Sequence, residues 1–338
     1  NLRGVQTEKN PTSVSYLLPE LYSPLPAVLS QPLFKTGNFN RIAYAPNFIN
    51  DLFYKTNLIG LGKNKVSAIK FNGRFVSEIE LTNLSSGEVV TYKFYPSVQL
   101  ALTALKLGKV NRVEGIYNHV NLSDELHYEL KDELQPDFEA MLFYNLDDEI
   151  LASKDFRQAL TYALPDTLSQ GVTADTPLSQ NSWARNANVK HYAQNLELAK
   201  TMVKKYATPS ASSKIKIHIS TNQQLLPTAN EIADAWRQIG LDPQIETTDL
   251  RPQRFQTYLA IVPLPKDPDQ YFLWHSTQET NISNYKSPKV DRLLEEARQS
   301  FDIKTREIKY SDFQKAITED APAAFLFYPK VYSVVRKY

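Results

Sequence analysis

Two spacings of apolar residues divide the chain into regions of different predicted structure. In the first region apolar and polar residues alternate along short runs, and Gly, Asn, Ser or Pro residues separate one run from the next. Such alternation predicts β-strands. We expect strands in "SVSYLLPE", "TGNFNRIAYA", "VSAIKFN", "VSEIELTN", "EVVTYKFYP" and "VNRVEGIY", and one amphipathic helix, "SVQLALTALKLGK", that Ser97 caps and that ends near Gly108.

From about Ile116 onward, the pattern changes to helices that alternate with single strands. It predicts a helix capped by Ser123 in "NLSDELHYELKDEL", a strand in "FEAMLFYNL", and helices in "SKDFRQALTYAL" and "NLELAKTMVKKYA", the last capped by Asn195. "KIKIHIST", "ANEIADAWRQIG" and "DPQIETTD" form a strand, helix and strand within about 35 residues, which predicts a right-handed crossover between parallel strands. Helices "SPKVDRLLEEARQS" and "IKTREIKYSDFQKAITED" and strands "AAFLFYP" and "VYSVVRKY" complete an α/β region.

The composition narrows the class of protein. The 338 residues exceed the usual size of a single core, so two lobes are expected. The 38 basic and 37 acidic residues give a net charge of +1, which provides no electrostatic footprint for nucleic acid or a membrane surface. Cysteine is absent, which excludes disulfides, thiolate metal sites and a cysteine nucleophile.

Sequence motifs give no support for catalysis. The chain contains no GxGxxG or GxxxxGK[ST] loop, no Gly-x-Ser-x-Gly elbow and no HExxH pair. His275 has no second His or Cys at the spacing of a zinc or nickel site. We therefore expect a protein that is not an enzyme and has neither a cofactor nor a metal site. The segment "DPDQYFLWHSTQETNISNY" mixes aromatic rings with polar groups, as ligand cavities do.

Five segments, in this order, resemble the family 5 extracellular solute-binding proteins, which are the peptide- and nickel-binding receptors of ABC importers. "TGNFN" resembles the family's first-lobe turn, and "LTALKLGKVNRVEGI" its following helix and strand. "MLFYNLDDEILASKDFRQALTYAL", "ANEIADAWRQIGLDPQIE" and "DPDQYFLWHSTQETNISNYKSPKVDRLLEEAR" are similar to three later blocks. The resemblance extends from about Ser13 to the end of the chain. Members of the family have an N-terminal portion before this region, and we expect the chain to lack it.

The resemblance implies a two-lobed periplasmic-binding-protein-like fold of the class II type, α/β with mixed sheets flanked by helices. Residues 1–115 and 322–338 would form the remainder of a β-rich first lobe, and residues 116–321 the second lobe. The protein would be monomeric and extracytoplasmic, and lipid-anchored in its full length. It would bind an oligopeptide in an interlobe cleft by hinge closure and deliver it to the membrane permease of an ABC transporter.

The resemblance also implies a set of ligand-binding residues. Ile261 and Val262 resemble the strand edge that pairs with a peptide backbone, and Pro263 removes one N–H donor from that edge. Leu264 occupies the position at which the family has an aspartate that holds the free amino group of the peptide. Asp267 either compensates for that loss or caps the helix "DQYFLWHS". The ligand would then be N-blocked, differently registered or not a peptide.

Four more candidates belong to the same block, and one lies outside it. Trp274 either stacks on the ligand or belongs to the lobe core, and His275 either binds the ligand or ends a helix. Asn281 and Tyr285 either face the ligand or hold the turn before "SPKVD". Trp183, in a polar loop, is expected at the cleft edge.

Two other functions remain open at this point. The first is a binding protein for a metal chelate or another small solute, suggested by Leu264 in place of an acid. The second is an interaction or scaffold protein that retains the fold without a cavity.

Overall fold

The computed structural model describes residues 5–30, 62–73, 75–120, 127–206, 214–248 and 250–337. The strand predicted in "TGNFNRIAYA" and the cap predicted at Ser123 lie outside these residues. The strands are β1 Gln6–Lys9, β2 Val14–Leu17, β3 Asn64–Asn72, β4 Phe75–Asn83, β5 Val89–Lys93, β6 Arg112–Ile116, β7 Tyr128–Leu134, β8 Phe138–Tyr144, β9 Gly171–Thr173, β10 Lys216–Thr221, β11 Asp242–Thr247, β12 Thr257–Pro263 and β13 Ala323–Arg336.

The α-helices lie mainly in the second half of the described chain. They are α1 Leu25–Leu29, α2 Val98–Lys106, α3 Lys154–Tyr162, α4 Leu196–Lys204, α5 Leu226–Gln238, α6 Tyr271–Trp274, α7 Pro288–Arg298 and α8 Ile303–Asp320.

Contacts group the chain into two units. The larger comprises Asn1–Ala27, Tyr117–Val120 and Asp132–Tyr332, and the smaller comprises Val28–Ile116, Asn121–Lys131 and Ser333–Tyr338. The N-terminal segment joins the larger unit through Ser23, whose N–H donates to the Arg298 carbonyl at 2.8 Å and whose hydroxyl donates to the Ala297 carbonyl at 3.2 Å. This grouping differs from the sequence-based division at residues 1–27, 121–131 and 322–332, and the lobe boundaries stay a prediction.

A mixed sheet forms the centre of the larger unit. Its strands follow the order β11-β10-β12-β8-β13, and β9 pairs with β13. β10 is parallel to β11 and to β12, whereas β8 is antiparallel to its neighbours β12 and β13. The parallel pairing predicted between "KIKIHIST" and "DPQIETTD" is therefore confirmed.

Both faces of this sheet are covered by helices. Alternation along β8 directs Ala140, Leu142 and Tyr144 into one core with α3, α4 and α5, and directs Met141 and Phe143 into a second core with α6, α7 and α8. We call the second group of residues the α8-side core. A strand with apolar residues on both faces is typical of a sheet buried between two layers of helices.

The smaller unit contains the antiparallel sheet β3-β4-β5 and helix α2. The hydroxyl of Ser97 accepts the Leu100 N–H at the start of α2. At its end the Gly108 N–H donates to Leu105 and the Lys109 N–H donates to Ala104. This pair of bonds is a Schellman motif, and it requires the left-handed φ of +73° that Gly108 has. The predicted cap and stop of this helix are therefore confirmed.

Two predicted elements differ from the structure. The helix predicted in "NLSDELHYELKDEL" is wrong for its second half, because Tyr128–Leu134 forms strand β7. In that half Tyr128, Leu130 and Leu134 are partly buried at alternate positions, and pairing with β13 overrides the helical preference of the residue types. The two predicted C-terminal strands form one strand, β13. Pro329 lies within it, and its carbonyl accepts the Gln135 N–H at 2.9 Å.

Candidate ligand-binding site

The C-terminal half of β12 extends beyond its neighbour β10. The register with β10 covers Thr257 and Tyr258, whereas the register with β8 continues to Pro263. Leu264 donates its N–H to the Asp137 carbonyl, so the main-chain groups of even-numbered residues face β8. The N–H and C=O of Ile261 and the C=O of Pro263 therefore point to the opposite edge, which no described strand pairs beyond Tyr258.

Leu264 and Asp267 follow this edge and have different surroundings. Leu264 is buried in the α8-side core. The Oδ1 atom of Asp267 lies 2.5 Å from Nη2 of Arg306 on α8, and it also accepts the Asp269 N–H at 3.1 Å. Asp267 does not cap α6, since the position before that helix is Gln270, which makes no side-chain capping bond. The Asp267 carboxylate, which we expected either to cap the helix or to bind the ligand, is thus paired with Arg306.

Trp183 is the exposed member of the predicted set. Its side chain is 43% exposed, whereas Trp236 and Trp274 are fully buried. The ring packs edge-on against Tyr310, with centroids 6.2 Å apart, and the Arg306 guanidinium lies 5.3 Å from its centroid. Arg306 thus connects Trp183 to Asp267, two candidates that are far apart in sequence.

Trp274 lies in the interior of the larger unit. Its ring packs against Phe143 and Phe325, with centroid distances of 5.9 and 6.0 Å. Its indole N–H has no hydrogen-bond partner among the described residues. In this conformation the core position, which was one of the two alternatives, accounts for all of its contacts, and contact with a ligand stays a prediction.

His275 is also buried. Its ring stacks on Tyr271 with centroids 4.0 Å apart, and its Nε2 lies 3.1 Å from the Glu295 carboxylate. Its Nδ1 lies 2.9 Å from the Thr277 hydroxyl. These contacts fix the ring between α6 and α7, and contact of His275 with a ligand stays a prediction.

Asn281 and Tyr285 hold the turn before α7. The Asn281 amide donates to the Tyr285 carbonyl at 2.7 Å and accepts the Tyr285 N–H at 3.2 Å. The Tyr285 hydroxyl donates to Asp320 at 2.6 Å, and burial raises the pKa of this phenol. The structural alternative weighed for both residues matches these bonds, and their contact with a ligand stays a prediction.

The sequence did not single out Glu139 and Arg185. Glu139 lies on β8 directly opposite Val262 on β12, and its side chain is fully buried. Burial raises the pKa of its carboxyl well above 4.5, and the nearby charge of Asp175 raises it further while Arg185 lowers it. Arg185 is held by Asp175 at 2.7 Å. A single acid in the apolar strand "FEAMLFY" was the signal that could have identified Glu139.

The described part of the chain contains no group of three or more His, Cys, Asp or Glu side chains that could hold a metal ion. None of the helices that the structure describes is long and apolar enough to cross a bilayer.

Comparison with known sequences decides the family. Residues 10–284 match the group described as "Bacterial extracellular solute-binding proteins, family 5 Middle". The chain belongs to this family. A stretch of 220 residues is 25% identical to the dipeptide-binding protein of Escherichia coli strain K12, and it covers 58% of the chain but only 41% of that relative. The chain thus spans less than half of the length of this relative, and the family assignment confirms the predicted resemblance.

Solved structures of the family share the fold. NikZ from Campylobacter jejuni, in complex with Ni(L-His), superposes with a TM-score of 0.82 at 21% identity, and 98% of the chain covers 73% of NikZ. The oligopeptide-binding protein AppA from Bacillus subtilis, in complex with a nonapeptide, gives 0.78 at 20% identity, with 98% and 74% covered. These similarities confirm the predicted α/β fold of the two-lobed periplasmic-binding-protein type.

Proposed function

We propose that the protein is the substrate-binding component of an ABC importer and that its ligand is an oligopeptide. Family membership supports the transport role, an extracytoplasmic location and a partnership with a membrane permease. In this proposal the ligand favours a closed arrangement of the two lobes, and the permease recognises that arrangement. The protein would act as a monomer without chemical change of the ligand, and lipid anchoring of the full-length protein belongs to the same proposal.

The edge of β12 that no described strand pairs beyond Tyr258 is the observation that carries the peptide assignment. Ile261 offers one donor and one acceptor there, and Pro263 offers an acceptor only. An extended peptide that adds a strand to this edge gains main-chain hydrogen bonds that do not depend on its sequence. Because Pro263 lacks an N–H, this pairing is one bond shorter than an edge without proline would provide.

The surroundings of Leu264 limit how a peptide N-terminus is held. Leu264 has no charge, and Asp267 is already paired with Arg306. A free α-amino group at this position would lack a charge-assisted hydrogen bond worth roughly 1.5–3 kcal/mol. We therefore propose that the ligand is N-blocked or places its N-terminus elsewhere along β12.

Mass spectrometry and calorimetry test the proposal. Protein purified gently from its native host and then denatured should release a mixture of peptides. Calorimetric titration with acetylated and free peptides of three to nine residues should give heat, and acetylated peptides should bind at least as tightly as free ones. Absence of both co-purified peptide and binding heat over the whole set would contradict peptide binding.

A metal chelate or another small solute is the second candidate. The neutral, apolar surroundings of Leu264 favour a ligand without a free amino group, and NikZ, of the same fold, is in complex with Ni(L-His). Release of one defined small molecule instead of peptides in the same mass spectrometry experiment would support this candidate.

A further inference from the structure

Glu139 is a buried acid without a hydrogen-bond partner among the described residues. None of its surface is exposed, and neither carboxyl oxygen forms a hydrogen bond with any described residue. Buried side-chain oxygens of native proteins are almost always hydrogen-bonded, and a carboxylate is among the most costly groups to leave alone. Its retention within an otherwise apolar strand therefore needs a reason other than packing.

The position of Glu139 relates it to the proposed ligand edge. Glu139 and Val262 are directly opposite each other on neighbouring strands, so their side chains share one face of the sheet. This is the face of the α8-side core, to which Val262 also belongs. A ligand strand on the free edge of β12 would lie two strand spacings, about 10 Å, from β8.

The distance of about 10 Å between the ligand strand and β8 determines which ligand groups can reach the Glu139 carboxyl. A main-chain amine of the ligand is too far away, since β12 lies between them. The side chain of lysine or arginine has a long flexible stem that can cross Val262 on the shared face and carry its charge to Glu139. Shorter side chains of the ligand would end over Val262 and would not reach the Glu139 carboxyl.

The described charged groups around Glu139 also lack one cation. Asp175 and Arg185 neutralise each other at 2.7 Å, and Tyr328 donates its hydroxyl to the Leu178 carbonyl at 2.7 Å. His191 lies 3.7 Å from Asp175, and its side chain is 55% exposed. When Glu139 is ionised, these described groups therefore sum to one uncompensated negative charge, which one ligand cation would balance.

We propose that Glu139 is a specificity-determining residue of the ligand site and that it pairs with a lysine or arginine side chain of a bound peptide. The inference rests on the proposed peptide-binding function and adds the class of peptide. The basic side chain lies over Val262, and its charge displaces the proton that the isolated carboxyl retains. Burial and the charge of Asp175 raise the pKa of free Glu139, so binding of a cation releases a proton.

The test compares matched peptides on matched variants. Acetylated alanine peptides with one lysine at each successive position are titrated against the same peptides with norleucine, which keeps the stem and removes the charge. Wild-type protein should prefer lysine at one position by about 10-fold or more. Glu139→Gln should reduce the preference to about 2-fold or less, and Glu139→Asp, with a shorter reach, should give an intermediate value. Glu149→Gln, at an exposed acid, should behave as wild type.

Calorimetry in buffers of different ionisation enthalpy provides a second readout, since a purely structural Glu139 would not change proton release. The lysine peptide should release protons from wild type but not from Glu139→Gln. Equal binding of lysine and norleucine peptides by wild type, or a preference that survives in Glu139→Gln, would overturn this inference and leave peptide binding intact. Failure of wild type to bind either peptide would overturn both. Circular dichroism confirms that each variant is folded.

Discussion

Asp267 and Arg306 form a shielded ion pair, with Oδ1 and Nη2 2.5 Å apart and side chains only 13% and 8% exposed. The pair connects the loop after β12 to the first turns of α8. The guanidinium also lies close to the rings of Trp183 and Tyr310. One arginine therefore fixes the loop beside the proposed ligand edge and the loop that carries Trp183.

Removal of one partner of this pair should destabilise the larger unit. Arg306→Met keeps much of the stem and leaves the Asp267 carboxylate shielded without its cation, which should lower the free energy of unfolding by about 3 kcal/mol. Asp267→Asn should cost somewhat less, because its amide still reaches neighbouring polar groups. Urea denaturation followed by circular dichroism measures both values.

The double variant Asp267→Asn/Arg306→Met separates the pair from its surroundings. If the two side chains act together, its cost should be clearly smaller than the sum of the single costs. Additive costs would show that the ion pair contributes nothing of its own. Lys315→Met, which removes an exposed cation of α8, is the matched control and should have little effect.

The pH dependence of stability should report Glu139. Burial raises the pKa of this carboxyl above its unfolded value of about 4.5, so the folded state binds more protons than the unfolded state above that pH. Its contribution is therefore complete below about pH 4.5 and decreases as the pH rises toward the folded pKa. Glu139→Gln does not titrate, so its stability relative to wild type should increase across this window by at most about 1.4 kcal/mol per pH unit.

Denaturation curves of wild type and Glu139→Gln between pH 4 and pH 8 measure this difference. The stability difference between wild type and Glu149→Gln should be constant over the same pH range, because Glu149 is exposed. A stability difference between wild type and Glu139→Gln that does not change with pH would contradict a raised pKa.

Most of the fold follows from local sequence signals. Ser97, Asn195 and Ser287 each accept the N–H three residues ahead, and Gly108 and Gly240 end their helices in the left-handed conformation. These features depend on a few adjacent residues, so a sequence pattern is sufficient to find them. The sequence pattern did not predict strand β7, because the pairing of β7 with β13 depends on residues about 200 positions away.

The site was predicted less completely than the fold. The resemblance to the family led us to expect ligand contacts at the edge of β12 and at residues from Leu264 to Tyr285, but it did not indicate which of these side chains face outward. Arg306 lies in "IKTREIKYSDF", where its charge is indistinguishable from a solvated helix face. Its burial results from the approach of Trp183 and Asp267, both of which are remote in sequence. Glu139 was visible as a lone acid in an apolar strand, yet its relation to Val262 required the register.

The end of α5 offers a local test of the Schellman motif. Gly240 has φ +93°, its N–H donates to Arg237, and the Leu241 N–H donates to Trp236. Open space surrounds the position of an added Cβ, so the cost of Gly240→Ala arises from the backbone alone and should be about 1 kcal/mol. Gly240→Asn is the matched control and should cost less, since asparagine tolerates this conformation. Thermal melting distinguishes the two, and an equal cost would contradict the backbone explanation.

The fluorescence of Trp183 can be used to detect binding at the proposed ligand site. It is 43% exposed, whereas Trp236 and Trp274 have no exposed surface, so iodide should quench mainly Trp183. The nearby Arg306 guanidinium should attract the anion and strengthen this quenching. Trp183→Phe should therefore remove most of the iodide-sensitive emission and keep the emission of the two buried rings. If Trp183 lines the ligand site, a peptide that gives binding heat should also protect wild-type emission from iodide. Unchanged quenching in the presence of such a peptide would place Trp183 outside the site.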